Sequence, residues 1–248
     1  MQPIVVIPAR LAATRLPGKP LADIGGEPMI VHVWRRAVAA GVGPVVVAAG
    51  DAEIAAAVAR AGGRAVATAP SLPSGSDRVH AALAAFDPEH RFDVAVNLQG
   101  DLPLIDPAAV AAVLAPLADA AVDIATLAAE IRDARERDDP NVVKAVAAIG
   151  RGARIGRALY FSRAAVPAGD GPLYHHIGIY AFRRAALERF VTLPQGVLER
   201  RERLEQLRAL EAGMRIDLAL VDTVPFGIDT PADLARARAL FAADPTRP

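Results

Sequence analysis

The sequence predicts an α/β fold, a mostly parallel sheet flanked by helices with a smaller strand-containing lobe. Three observations carry that prediction. Short apolar runs alternate with segments of helical spacing between residues 4 and 117, with brief joints marked by Gly, Pro and Asp; a β-α-β-α-β order of this kind gives parallel strands with right-handed crossovers. From about residue 122 the pattern changes to successive strands. At 248 residues and 53% hydrophobic, the chain can bury a substantial core, so we expect a single domain, 1–248, with the lobe around 122–222.

The first run, Val5-Val6-Ile7-Pro8-Ala9, reads as a buried strand. It breaks into Arg10-Leu11-Ala12-Ala13-Thr14-Arg15-Leu16-Pro17-Gly18-Lys19-Pro20, a loop with three cations and no acid. Ligands bind at the carboxyl ends of strands in open α/β sheets. Arg10, Arg15 and Lys19 point to a polyanion, because guanidinium and ammonium groups offer charge and donors to phosphate oxygens; the other reading is a solvated basic loop. Leu16-Pro17-Gly18-Lys19-Pro20 has the Gly-Lys pair of a P-loop, yet the earlier Gly and the following Ser or Thr are missing. No G-x-G-x-x-G follows a strand either.

Pro28 starts a helix in which Ile30, Val33, Trp34, Ala37 and Val38 recur until Gly41. Residues 45–49 form the second strand, Asp51 is the N-cap of a helix stopped by Gly62-Gly63, and residues 65–68 form a weaker strand. Ser71-Leu72-Pro73-Ser74-Gly75-Ser76-Asp77-Arg78 then runs into a helix marked by Val79, Leu83 and Phe86. Ser74, Gly75 and Ser76 either cap that helix or offer hydroxyls and amides to a base edge or a phosphate. Residues 93–97 deliver Leu98-Gln99-Gly100-Asp101-Leu102-Pro103 to the same edge as the basic loop. An aspartate facing three cations there suits a divalent metal bound to a nucleoside triphosphate; a turn or capping aspartate is the alternative. Asp106 and Pro107 begin a helix to about Leu117.

In the lobe, strands are expected at 124–127, 142–149 and 158–162, with the charged stretch 132–139 as a solvated turn or short helix. Residues 168–172 read as a loop and a candidate lid. Over 175–182 the chain alternates, so His176, Gly178 and Tyr180 share one face and Ile177, Ile179 and Ala181 the other. Adjacent histidines on a strand point to opposite faces, which argues against joint chelation by His175 and His176. Residues 198–212 read as one helix with Leu204, Leu207 and Leu210 as its apolar stripe and Glu205 and Gln206 beside it. Near the end, Thr230, Pro231 and Asp233 make an N-cap, first-turn and capping-box start, leaving Asp229 just outside the helix. That position suits a second metal carboxylate or a structural turn.

Composition excludes several classes. A formal net charge of +0 argues against broad binding to nucleic acid or an anionic membrane surface. No cysteine is present, so disulfides and thiolate metal sites are excluded. The amino terminus lacks a charged segment followed by a separate apolar one, and no apolar run reaches membrane-span length. We therefore expect no membrane insertion and a cytoplasmic location.

Taken in order, 7–20, Ser74-Gly75-Ser76-Asp77-Arg78, 97–103, Ala158-Leu159-Tyr160-Phe161-Ser162-Arg163, 176–180, Leu204-Glu205-Gln206-Leu207-Arg208 and Asp229-Thr230-Pro231-Ala232-Asp233-Leu234 resemble one family over nearly the whole chain. It is the 3-deoxy-manno-octulosonate (Kdo) cytidylyltransferase, or CMP-Kdo synthetase, family. The resemblance implies a Rossmann-like nucleotidyltransferase fold with a dimerisation lobe, a homodimer, and transfer of CMP from CTP to the anomeric 2-hydroxyl of Kdo. Pyrophosphate would leave, Mg2+ would assist, and the product would serve lipopolysaccharide biosynthesis. By the same resemblance Arg10, Arg15 and Lys19 hold the triphosphate, and Ala9, Ser74 and Gly75 lie around cytosine and ribose. Asp101 and Asp229 hold magnesium, while Arg78, Gln99, Arg163, His176, Tyr180, Glu205 and Gln206 form the sugar-acid pocket. The chain departs from the family pattern at Leu102, where many members carry an acid, at Ala49-Gly50, where many carry Thr-Asp, and in a shorter approach to Asp229 through Pro225-Phe226-Gly227. Alternatives are a cytidylyltransferase for 8-amino-Kdo or a nonulosonate, and a non-catalytic nucleotide-binding homologue.

Overall fold

Ile4, Val5, Val6 and Ile7 are all buried in β1 (Pro3–Ala9), as a strand covered on both faces requires. The computed structural model describes residues 1–12 and 16–243, which form two compact units, one of residues 1–12, 16–111 and 225–243, the other Ala112–Val224.

In the first unit, β1 is followed by a 3-10 turn (Lys19–Leu21), a hairpin of β2 (Asp23–Ile24) and β3 (Glu27–Pro28), α1 (Met29–Ala39), β4 (Val45–Ala49), α2 (Ala52–Arg60), β5 (Arg64–Ala67), α3 (Gly75–Phe86) and β6 (Val94–Asn97), and α4 (Pro107–Ala112) follows where the unit ends. β5, β4, β1 and β6 stand in that order and are mutually parallel. The chain steps outward from β1 through β4 to β5, then returns to the other side of β1 with β6. This reversal leaves a crevice at the carboxyl ends of β1 and β6, the topological position for a ligand. The hairpin was not anticipated. Its turn, Gly25-Gly26, has φ of 61° and 90°, a left-handed conformation that glycine adopts without penalty. The chain's last helix, Pro231–Ala243, returns to this unit, and its Leu234, Ala237 and Phe241 pack with Ile24, Met29 and Ile228.

The second unit contains β7 (Ile124–Glu130), α5 (Ala134–Asp138), β8 (Lys144–Ala148), β9 (Ile155–Ser162), β10 (Tyr174–Arg183), α6 (Arg184–Thr192), α7 (Val197–Glu202), α8 (Leu207–Glu211) and β11 (Ile216–Val221). Its strands run β10-β7-β11-β9-β8, and β10 also pairs with β8 at Tyr174 and His175. Only β11 with β7 is parallel here; β10–β7, β11–β9, β8–β9 and β10–β8 are antiparallel. The expectation of a mostly parallel sheet therefore applies to the first unit and is corrected to a mixed sheet in the second.

A second correction concerns 198–212, which is not one helix. Arg203 takes φ 56° and ψ 45°, ending α7 and starting a turn through Glu205 and Gln206 before α8. The break lets Arg208 fold back onto Glu199, with Nε–Oε2 at 2.8 Å and Nη2–Oε1 at 2.5 Å, both side chains being buried. A buried charge without a partner is costly, so this pair fixes the bend.

Candidate active site

Three segments of the first unit meet in a cleft of about 180 Å³ at the carboxyl ends of β1 and β6. Pro8, Ala9 and Arg10 come from the end of β1, Leu72, Ser74, Gly75 and Arg78 from the start of α3, and Gln99 from the loop after β6. Ser74 is indeed the cap of α3: its Oγ accepts from the Asp77 amide at 3.2 Å and donates to the Asp77 carboxylate at 2.6 Å. Gly75 faces Pro8 and Gln99 with only ordinary contact distances for an added Cβ, 3.6 and 3.9 Å.

Arg78 is buried, its Nη1 donating to Thr68 Oγ1 at 2.6 Å and the Ala69 carbonyl at 3.2 Å, its Nη2 to the Pro70 carbonyl at 3.3 Å. Burial first, then the charge of Arg10, pulls it below the ordinary guanidinium pKa. Two cations thus sit close together at the cleft, a field that favours an anion. Gly50 makes room for this arrangement, since a Cβ there would lie 2.8 Å from Arg78 Nη1 and 3.1 Å from Arg10 Cβ. Asp51 stands at the N-cap position of α2, but its side chain is turned instead to the loop after β1, accepting from the Leu11 amide at 2.7 Å.

Lys19 Nζ bridges two acids remote in sequence, Asp101 Oδ2 at 2.8 Å and Asp229 Oδ1 at 3.0 Å. The fold brings them together by a backbone link, the Ile228 amide donating to the Asp101 carbonyl at 3.0 Å. Asp233 completes the turn, its Oδ2 accepting from the amides of Asp229 and Thr230 at 3.1 and 2.9 Å. Burial lowers the Lys19 pKa, but the charge and hydrogen bonds of Asp101, and then of Asp229, outweigh it and raise the ammonium above its ordinary value. Leu102 lies in contact range of a Cβ at Gly227, 3.6 Å from it. Arg15 lies outside the described residues.

The remaining predicted residues belong to the second unit. His176 is buried, with its ring 4.7 Å from Phe161 and 5.6 Å from Tyr180 between centroids. Thr126 Oγ1 is 2.8 Å from the Ile179 carbonyl oxygen and 3.0 Å from His176 Nε2. Donating to the carbonyl, it accepts from the ring, which selects the Nε2–H tautomer. This hydroxyl also holds the register shift between Ile177 and Tyr180. Burial, and secondarily the charge of His175, lowers the His176 pKa to about 3. Tyr180 is pushed above the ordinary phenol range by burial and then by the Glu205 charge. Gln206 is buried, and among the described residues its Nε2 meets no hydrogen-bond acceptor. Arg163 Nε donates to the Glu202 carbonyl and Nη1 to the Pro140 carbonyl, each at 2.9 Å.

Asp51 and Lys144 were not singled out as site residues by sequence reasoning. Asp51 carried the signal of a helix cap, and a buried lysine such as Lys144 leaves no mark in a hydropathy pattern.

Comparison with known proteins bears directly on this arrangement. The family described as Cytidylyltransferase matches residues 4–216. A 3-deoxy-manno-octulosonate cytidylyltransferase from Paramagnetospirillum magneticum is 68% identical over 243 residues, covering 98% of this chain and 99% of the relative. One of the same name from Methylobacterium radiotolerans is 68% identical over 240 residues, covering 96% of each. Among solved structures, a CMP:2-keto-3-deoxy-manno-octonic acid synthetase complexed with CTP superposes with a TM-score of 0.89 at 40% identity, covering 98% of this chain and 100% of the other. The nucleotidyltransferase fold follows from that likeness, and with two thirds of the residues shared over nearly the full length, the chain belongs to the 3-deoxy-manno-octulosonate cytidylyltransferase family.

Proposed function

We propose that this protein transfers CMP from CTP to the anomeric 2-hydroxyl of Kdo, giving CMP-Kdo and pyrophosphate for lipopolysaccharide biosynthesis. The observation that carries the reading is the convergence of Asp101 and Asp229 on the Lys19 ammonium beside a cleft lined by Arg10 and Arg78. A non-catalytic nucleotide binder has no need of two acids drawn onto one cation from positions so far apart in the chain.

The reaction is in-line attack of the sugar hydroxyl on the α-phosphorus, and the chain supplies positioning and charge rather than a nucleophile. Ala9, Ser74 and Gly75 take the cytosine and ribose, with the backbone at Gly75 open to close approach. Arg10, Arg15 and Lys19 take the triphosphate. Lys19 can swing from the acids toward the leaving oxygens, where its charge is most needed as pyrophosphate departs. Arg163, His176, Tyr180, Glu205 and Gln206 are the second unit's residues for the sugar acid, while Arg78 and Gln99 line the cleft of the first.

Asp101 and Asp229 also fit Mg2+. They are two hard oxygen donors already gathered within 3.0 Å of one cation, and among the described residues no third His, Asp or Glu joins them as a closed metal cage. Magnesium is commonly held by one or two carboxylates with substrate phosphates completing its shell. When bound, the ion supplies neutralisation of phosphate charge.

A homodimer in the cytoplasm belongs to the same reading. Ile155 and Leu159 of β9, with Val197, are exposed and give the second unit apolar surface for another copy. Among the described residues no helix is long and apolar enough to cross a membrane. The test is pyrophosphate release from CTP and Mg2+ with Kdo, 8-amino-Kdo or N-acetylneuraminate. Release with Kdo alone is expected; release with another acid only, or with none, overturns the assignment.

A further inference from the structure

Lys144, the first residue of β8, is 0% exposed, and among the described residues no carboxylate lies within hydrogen-bond reach of it. Its three ammonium donors go instead to three backbone carbonyls: Asp139 and Val142 at 2.7 Å and Arg163 at 3.4 Å. A buried ammonium is expensive to desolvate and is retained only where it is fully satisfied. Here the satisfaction ties two separate pieces of chain together. One is the turn 139–142. The other is the end of β9 at Arg163.

Arg163 reads that same turn with its side chain, since Nη1 donates to the Pro140 carbonyl at 2.9 Å. Its Nε is fixed on the Glu202 carbonyl at 2.9 Å, and its backbone amide on the Glu202 carboxylate at 3.1 Å. Lys144 therefore holds the Arg163 carbonyl and, through the carbonyls of Asp139 and Val142, the residues on either side of the Pro140 carbonyl that orients the guanidinium. Among the described residues, Nη2 makes no hydrogen bond, so one edge of a planar, pre-oriented guanidinium is available to an anionic group. A guanidinium free to rotate would lose much of its advantage for a planar carboxylate.

We infer that Lys144 is a positioning residue for Arg163, holding the turn 139–142 and the end of β9 so that the guanidinium edge meets the carboxylate of the sugar acid. The inference rests on the reading that Arg163 takes that carboxylate. Neither Glu202 nor the turn does this alone, because Glu202 anchors only Nε and the amide, and the turn is itself fixed by the ammonium.

The experiment is steady-state kinetics on Lys144→Met, Arg163→Ala and the double variant, reading KM for Kdo and for CTP separately. Lys144→Met is expected to raise KM for Kdo about tenfold, the scale of one charge-assisted hydrogen bond, while KM for CTP stays within about twofold. In the Arg163→Ala background it should add nothing further, because the two act through one contact. If Lys144→Met does not fold, Lys144→Gln, which keeps an amide donor for the carbonyls, must show the same split at smaller size. A raised KM for Kdo in Arg163→Ala with no change in a folded Lys144 variant overturns the inference alone. Equal rises for both substrates, or full additivity in the double variant, overturn it too, since a merely structural lysine would behave so. An unchanged KM for Kdo in Arg163→Ala overturns the reading of Arg163 itself, and the inference with it.

Discussion

Replacing Lys19 by methionine should tighten the binding of a divalent cation to the protein alone, even as it suppresses turnover. The Lys19 ammonium is already hydrogen-bonded to Asp101 at 2.8 Å and Asp229 at 3.0 Å, so an ion that takes those oxygens has to displace it. Charge-assisted hydrogen bonds contribute about 1.5–3 kcal/mol where water is excluded. Asp101 is 30% and Asp229 49% exposed, however, and screening brings each pair to about 0.5–1 kcal/mol. Together they set a competition of about 1–2 kcal/mol, or roughly a five- to thirtyfold weaker metal affinity in the wild type. Methionine keeps much of the stem and removes the charge. Mn2+ titrated without nucleotide, with free ion read by electron paramagnetic resonance, gives the two constants, and Asp101→Asn should abolish the binding. A Lys19→Met protein that binds Mn2+ no more tightly than wild type would refute the reasoning.

Four other outcomes follow from the same geometry. Asp101→Asn and Asp229→Asn should each suppress pyrophosphate release by at least about a hundredfold while thermal unfolding stays near wild type; near-normal turnover in either removes that residue from the metal set. His176, with its folded pKa lowered to about 3 by burial, binds a proton more readily when unfolded. Its contribution to stability is thus complete above about pH 6.5 and is lost as pH falls toward 3, at about 1.4 kcal/mol per unit. The unfolding free energy from urea titration of wild type should fall between pH 7 and 5 by about 2 kcal/mol more than that of His176→Gln, and parallel curves would contradict this. Glu199→Gln should destabilise by about 3–5 kcal/mol by removing the carboxylate charge that faces the buried Arg208, whose guanidinium also lies 5.2 Å from the Phe190 ring centroid, while Glu199→Leu with Arg208→Met should recover most of it. Gly50→Ala should raise KM about fivefold for CTP and for Kdo alike, by crowding Arg10 and Arg78 respectively; a rise for neither would contradict the crowding.

The parallel half of the fold was legible because β1 and β4 hold consecutive Val and Ile residues and Gly and Asp punctuate the joints, whereas β5, Arg-Ala-Val-Ala, read as a weaker strand. Capping chemistry was legible too: Ser74 and the Thr230–Asp233 pair sit where their spacing put them. The β2–β3 hairpin was missed because two-residue arms show no alternation, although Gly25-Gly26 was a turn signal available to be read. The break at Arg203 carried no such signal, since arginine seldom adopts positive φ and only the tertiary pairing of Glu199 with Arg208 explains it. Lys144 was invisible for a related reason. A lysine in a strand-like run reads as a solvated face, and only the three carbonyls around it reverse that expectation.

The return of the last helix to the first unit has a consequence for synthesis. Ile24 and Met29 are covered in part by Leu234, Ala237 and Phe241, and Asp101 acquires its companion acid only when residue 229 is in place. A nascent chain that has emerged as far as β11 therefore has every strand of the first unit but an uncovered apolar face and a single acid beside Lys19. Residues 228–241 must be made before the catalytic half of the molecule can close, so a product that stops short of them lacks both the cover and the second acid.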